Sequence, residues 1–120
     1  ARQATLLAKG RDGATFDALH AWLSENLHDS AINVDALAER ARMSSRNFSR
    51  VYKAKTGRGP GKALELFRVE AARRLLEQSD RQLGQIARQC GFVDEERLRV
   101  SFQRNLGVTP SDYRKRFTVL

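Results

Sequence analysis

Two stretches of this chain carry the same order of apolar, capping, glycine and proline residues. Leu37-Ala38…Ala41-Arg42-Met43 is matched by Ile86-Ala87…Cys90-Gly91-Phe92 at an offset of 49 positions. From there the offset becomes 50: Ser44, Phe48, Val51, Tyr52, Gly57 and Pro60 are matched by Asp94, Leu98, Ser101, Phe102, Gly107 and Pro110. The second copy therefore has one extra residue in its turn. Each copy reads as short helix, tight turn, second helix, glycine stop and proline start. Serial amphipathic helices occur in any bundle, whereas matching turn and stop residues dictate segment lengths and geometry.

That order is the outline of a helix-turn-helix, present twice. The copies are joined by Pro60 to Ser79, PGKALELFRVEAARRLLEQS. Leu64, Phe67, Ala71 and Leu75 recur at helical spacing, and Ala63, Ala72 and Leu76 widen the stripe. This predicts an amphipathic helix with one apolar side, opened by Pro60 and ended by Ser79-Asp80.

The remaining helices are read in the same way. Phe16, Leu19, Leu23 and Leu27 repeat at helical spacing, with Trp22 as a core candidate beside them and Thr15 as a cap. Asn33 caps a short helix carrying Val34, Leu37, Ala38 and Ala41. Met43-Ser44-Ser45 breaks the pattern and caps a helix whose Phe48, Val51 and Tyr52 face inward, stopped by Thr56-Gly57. Leu83, Ile86, Ala87 and Cys90 make the next helix. Asp94 caps another, with Leu98, Ser101 and Phe102 inward and Gly107 as its stop. Thr109-Pro110-Ser111-Asp112 is a capping box for a last helix holding Tyr113 and Phe117. No segment alternates as a strand does, so the expected class is all-α with about seven helices. Residues 1–15 are read as a linker or disordered N-terminal segment. Residues 16–117 are the expected domain, divided into a first unit at about 16–59, the linking helix at about 60–79 and a second unit at about 80–117.

Composition narrows the partner. A net charge of +8 on 120 residues suits a partner rich in phosphate, although a basic surface can also serve only solubility. The single cysteine, Cys90, excludes an internal disulfide, and its repeat partner is Ala41, so it is read as a small core residue. No apolar run of about 20 residues is present, and the basic N-terminus lacks the apolar core of a signal peptide. No membrane partner and a cytoplasmic location are expected. The chain begins with Ala1 and its one methionine is Met43, which suggests the C-terminal part of a longer protein.

The residues quoted for the two copies, with Phe48-Ser49-Arg50-Val51-Tyr52-Lys53, Gly107-Val108-Thr109-Pro110 and Tyr113-Arg114, resemble the AraC/XylS family of bacterial transcription regulators. Phe67-Arg68-Val69…Ala71…Leu75-Leu76 of the joining helix is similar too, so the likeness covers about residues 16 to 117. The resemblance implies seven helices in two helix-turn-helix units, each placing its second helix in a DNA major groove. It also implies an upstream sensor or dimerisation domain, so the fragment is expected to be monomeric. RNA polymerase is a further expected partner. Two departures stand out. The family's usual arginine, two residues after the large apolar residue, is Arg50 in the first recognition helix but Val100 in the second. Glycine is usual in the first turn, where this chain has Arg42, so a slightly different turn shape is expected.

With Phe48, Val51 and Tyr52 buried, Arg46, Ser49, Arg50 and Lys53 fall on the opposite face, and residues 43 to 58 contain no acid. Arg46 and Arg50, one turn apart, can offer guanidinium forks to guanine O6 and N7, and Asn47 at the shoulder can pair with adenine or phosphate. In the second helix Glu96, Val100 and Gln103 lie opposite Leu98 and Phe102, with Arg97 and Arg104 on one flank and Arg99 on the other. Glu96 can accept from a cytosine amino group and Val100 can pack on a thymine methyl. The base-reading candidates are thus Arg46, Asn47, Ser49, Arg50, Glu96, Arg97, Val100 and Gln103. The phosphate candidates are Ser45, Lys53, Lys55, Arg58, Arg99 and Arg104. Asp94 and Glu95 are read as capping the helix and complementing its dipole alone, and the same service is the competing reading for Glu96.

His20 and His28 lack further ligands at metal spacing, and no phosphate loop, catalytic triad or paired acids occur, so no metal, cofactor or enzyme activity is expected. The leading reading is sequence-specific binding of double-stranded DNA. The alternatives are non-specific nucleic-acid binding and a helical protein-interaction module.

Overall fold

The computed structural model describes residues 16–118, in which seven α-helices and no strand occur. The first, α1, covers residues 16–26; α2 is Val34–Arg40, α3 Ser45–Thr56, α4 Pro60–Gln78, α5 Leu83–Gln89, α6 Glu95–Leu106 and α7 Pro110–Thr118. The expected linker at 1–15 and the cap at Thr15 lie outside the described residues.

The expected caps form where their chemistry places them. Asn33 accepts from the Ala36 amide at 2.9 Å, Ser44 from Asn47 at 3.2 Å, Asp94 from Arg97 at 2.8 Å and Thr109 from Asp112 at 3.1 Å. Each supplies an acceptor to an amide that the first turn of a helix leaves unpaired. Gly57 and Gly107 stop α3 and α6 in the left-handed conformation, at φ 86° and 74°.

The two turns agree closely. The Met43 amide donates to the Ala38 carbonyl at 3.0 Å, and the Phe92 amide donates to that of Ala87 at 2.9 Å. Arg42 adopts φ 60° where its counterpart Gly91 has 85°. The arginine in the first turn thus keeps the handedness and hydrogen bond of the glycine turn, against the expected change of shape. The extra residue of the second copy is the exposed Val93, between turn and cap.

Two cores result. Phe16, Leu19, Leu23, Leu37, Phe48 and Tyr52 build the first, against Ala63 and Leu64 of α4. Ile86, Ala87, Cys90, Leu98 and Phe102 build the second, against Val69, Ala72 and Leu76 of α4. Phe48 and Phe102, one per core, are fully buried, each contributing about 2–3 kcal/mol of transfer free energy. Trp22 is half-buried against the first core, with the Arg40 guanidinium 4.4 Å from its ring centroid.

The expectation of a single apolar side on α4 needs correction. Phe67, Ala71 and Leu75 of the predicted stripe are only half-buried, while Val69, which lies off that stripe, is fully enclosed. One helix serving two cores must bury different sides in its two halves. Among the described hydrophobic residues, Ala71 packs against both cores. At about 1.5 Å per residue α4 is roughly 28 Å long, so it carries the two units side by side rather than stacked on one patch.

Candidate nucleic-acid interface

Each second helix of a copy is held by its buried face, which leaves the other face outward. On α3, burial of Phe48 and Tyr52 leaves Arg46, Asn47, Arg50 and Lys53 exposed and Ser49 half-exposed. Arg50 does not hang free: its Nη2 donates to the Asn47 Oδ1 at 2.7 Å. A guanidinium held by a neighbour one turn back loses less rotamer entropy when it meets a base edge. Arg46 and Lys53 extend from the same acid-free helix. Ser45 donates its hydroxyl to Asp35 at 2.6 Å, tying α3 to α2, so its oxygen remains as an acceptor. Lys55 and Arg58 lie exposed at the far end, and the charge of Arg58 reaches Tyr52, whose phenol burial pushes up.

The outward face of α6 is built differently. Arg99 donates to Glu96 at 2.9 and 2.5 Å and to Gln103 at 3.4 Å. Hydrogen bonding from Arg99 holds the Glu96 carboxyl below the usual range. Arg104 leaves the face altogether and pairs with Glu65 of α4. Val100 is 44% exposed, which removes it from the core, and it lines an open groove between α4 and α6 with Arg97, Arg104 and Glu65. Of the three arginines on α6, only Arg97 has a side chain without a partner among the described residues.

Glu65 was not singled out by sequence reasoning. It accepts from Ser101 at 2.6 Å, from Arg104, and from Lys62 at 3.4 Å; Lys62 also donates to Asn105 at 2.5 Å. Partial burial would raise its carboxyl, but hydrogen bonds from Ser101 and Arg104 and the charges of Arg104 and Lys62 outweigh it, holding the group at about 2. The one available signal was an acid between two apolar residues, Leu64 and Leu66, of the linking helix. α7 is tied to α4 in a similar way, since the Tyr113 hydroxyl donates to Glu77 at 2.5 Å. Cys90 is enclosed and its thiol is pushed up to about 11 by burial, which keeps it protonated and unreactive. Among the described residues no group of three or more metal-ligating side chains gathers, and no helix is long and apolar enough to cross a membrane.

Comparison with known proteins agrees with this geometry. A helix-turn-helix domain family matches residues 37–116. The HTH-type transcriptional regulator Rv1931c of Mycobacterium tuberculosis is 45% identical over 87 residues, which cover 72% of this chain and 34% of that protein. The HTH-type transcriptional activator RhaS of Escherichia coli is 36% identical over 97 residues, covering 81% of this chain and 34% of that protein. The chain thus spans about a third of the length of these relatives. Among solved structures, the DNA-binding domain of the global transcriptional factor AdpA, in complex with a target DNA, superposes with a TM-score of 0.81 at 40% identity, covering 86% of this chain and 92% of that one. With two copies of the same cap, turn and stop, and with these relatives, the chain belongs to the AraC-type helix-turn-helix family of transcription regulators.

Proposed function

We infer that this chain is the sequence-specific, double-stranded-DNA-binding part of a bacterial transcription regulator, with α3 and α6 entering successive major grooves on one side of the duplex. The observation that carries the reading is the outward face of α3: Arg46, Arg50 and Lys53 stand on a helix without acids, and Asn47 already orients Arg50. Such a face supplies both long-range attraction and forked donors suited to guanine.

The two units divide the labour. Arg46, Asn47, Ser49 and Arg50 read the first block of bases, while Lys53, Lys55 and Arg58 meet its phosphates and Ser45 joins them only by giving up its bond to Asp35. In the second unit Glu96, Arg97, Val100 and Gln103 read bases, and Arg99 and Arg104 reach phosphate only by giving up their bonds to Glu96 and Glu65. The second unit therefore adds discrimination with little electrostatic pull. The about 28 Å of α4 is of the same order as the about 34 Å turn of DNA that separates adjacent major grooves.

Residues 16–117 act as one binding domain, split into units at about 16–59 and 80–117 by the linking helix at 60–79, with 1–15 as the connection to an upstream part. Its relatives are transcription regulators, so a role in transcription is favoured over catalysis. Action in the bacterial cytoplasm, contact with RNA polymerase and dimerisation through an upstream domain extend the same reading. The deciding experiment is selection of bound sites from a random DNA pool. Two short blocks about 10 to 10.5 base pairs apart are expected. Enrichment of no sequence, with binding that persists, would favour non-specific attachment instead, and no binding at all would favour a protein-interaction module.

A further inference from the structure

The linking helix is not the only connection between the units. The carbonyl oxygen of Leu27, just past α1, faces the Gly91 turn so closely that a Cβ built on Gly91 would fall 2.1 Å from it. The same imagined Cβ would lie 2.5 Å from Nε of Arg68. Arg68 projects from the middle of α4, and its Nη2 donates to the carbonyls of Asp29 and Ile32 at 3.0 and 3.2 Å. One guanidinium therefore stands between the connection that follows α1 and the turn that precedes α6. Its Nε is buried without a partner, a cost that neither core explains, since both close without this side chain.

A single helix leaves bending and twisting open between the bodies at its two ends, whereas a second contact away from its axis removes that freedom. Arginine suits the place because the two hydrogens of its Nη2 reach both carbonyls of the connection while the rest of its planar group lies against the Gly91 turn. Lysine would offer an ammonium without that planar group to fill the space beside the turn, and a side chain at position 91 would push the turn away.

We propose that Arg68, wedged between the Asp29 and Ile32 carbonyls and the Gly91 turn, is a positioning residue that sets the distance and phase between α3 and α6, and so the spacing of the DNA blocks the protein accepts. The role rests on the DNA-binding reading, and two measurements separate the two. The first needs no DNA. Ala54 of α3 and Gln85 of α5 are exposed and on different units, so Ala54→Cys with Gln85→Cys accepts spin labels while Cys90 stays buried. The distance distribution should be narrow with Arg68 present and at least about twofold broader in Arg68→Met, which keeps an apolar stem but loses the fork; Arg68→Lys should fall between them.

The second measurement uses the site selected by the unaltered protein, with the gap between blocks shortened or lengthened by one base pair. The unaltered protein should lose about tenfold in affinity at either step. Arg68→Met should lose only about two- to threefold, bind the original gap less tightly, and bind single-block probes as the unaltered protein does, which also shows that both units remain folded. Should Arg68→Met not fold, Arg68→Lys is read on both measurements. An unchanged distance distribution overturns the wedge whatever the DNA results. A broadened distribution with an unchanged gap preference overturns the spacing role, and an unaltered protein that selects no two-block site overturns the DNA reading and the spacing role with it.

Discussion

Arg42 and Gly91 occupy the same position in two copies of one turn, both with left-handed backbone, at φ 60° and 85°. The likeness ends at their surroundings. Arg42 is exposed, whereas Gly91 is enclosed against Leu27 and Arg68. An L side chain in this conformation costs about 1–2 kcal/mol, partly offset by the greater freedom glycine has when unfolded. Arg42→Gly should raise stability by on the order of 0.5–1 kcal/mol. Gly91→Ala should lower it by roughly 2–4 kcal/mol, because the added carbon meets a backbone carbonyl. Urea denaturation of both variants checks this, and a destabilised Arg42→Gly would refute it.

The paired Asn47 and Arg50 should behave as one reading device. Arg50→Ala is expected to cost about 1–3 kcal/mol of specific binding and to relax the preference at one position of the first block. Asn47→Ala should cost less, and the double variant little more than Arg50→Ala alone, a non-additivity that a double-mutant cycle on the selected site measures. Strictly additive losses would mean that the 2.7 Å bond is not kept in the complex.

Attraction should come mainly from the first unit. With about five phosphates neutralised, the slope of log K against log salt should lie near −4 to −5, and Lys53→Ala should make it shallower by about one. Arg99→Ala should change it by less, since Arg99 is already paired with Glu96. Titrations across a salt series compare the two directly; equal changes would contradict the division between units.

Glu65 links stability to pH. Its carboxyl lies at about 2 in the folded chain against about 4.5 when free, so its contribution is fully present above about 4.5 and is lost as pH falls toward 2. Solvent screening keeps that contribution to about 1 kcal/mol. Glu65→Gln should be less stable at neutral pH and should approach the parent between pH 4.5 and 2. It should also free Arg104 and Lys62, raising non-specific affinity and steepening the salt slope by about one. Melting curves in acid and binding to random-sequence DNA test both halves.

Val100, 44% exposed, should tolerate replacement without thermal penalty. If it packs on a thymine methyl, Val100→Ala weakens binding modestly and leaves the salt slope unchanged, and the loss disappears on uracil-containing DNA. A lowered melting temperature in Val100→Ala, with no sensitivity to any thymine methyl, would sink its assignment to base reading.

How much of this was legible without coordinates follows the range of the interactions. Caps and stops act over three or four residues, so Asn33, Ser44, Asp94, Gly57 and Gly107 announce the helix ends by their side-chain chemistry alone. Helical periodicity places Phe48, Tyr52, Leu98 and Phe102 inward, which turns Arg46, Arg50 and Lys53 outward, and spacing between the copies makes the fold a repeat. Those features are local and were determined by the sequence itself. The fate of individual charges was not. Arg104 and Arg99 look alike as letters on one helix, yet one crosses to Glu65, 39 positions away, and the other stays with Glu96, three away. The two-sided burial of α4 and the wedge at Arg68 are likewise set by where the units come to rest, since a helix that serves two cores has no single periodic stripe. Chain-local rules fix which face a residue takes; which partner it meets there depends on the packing of segments distant in sequence, and only the tertiary structure decided that.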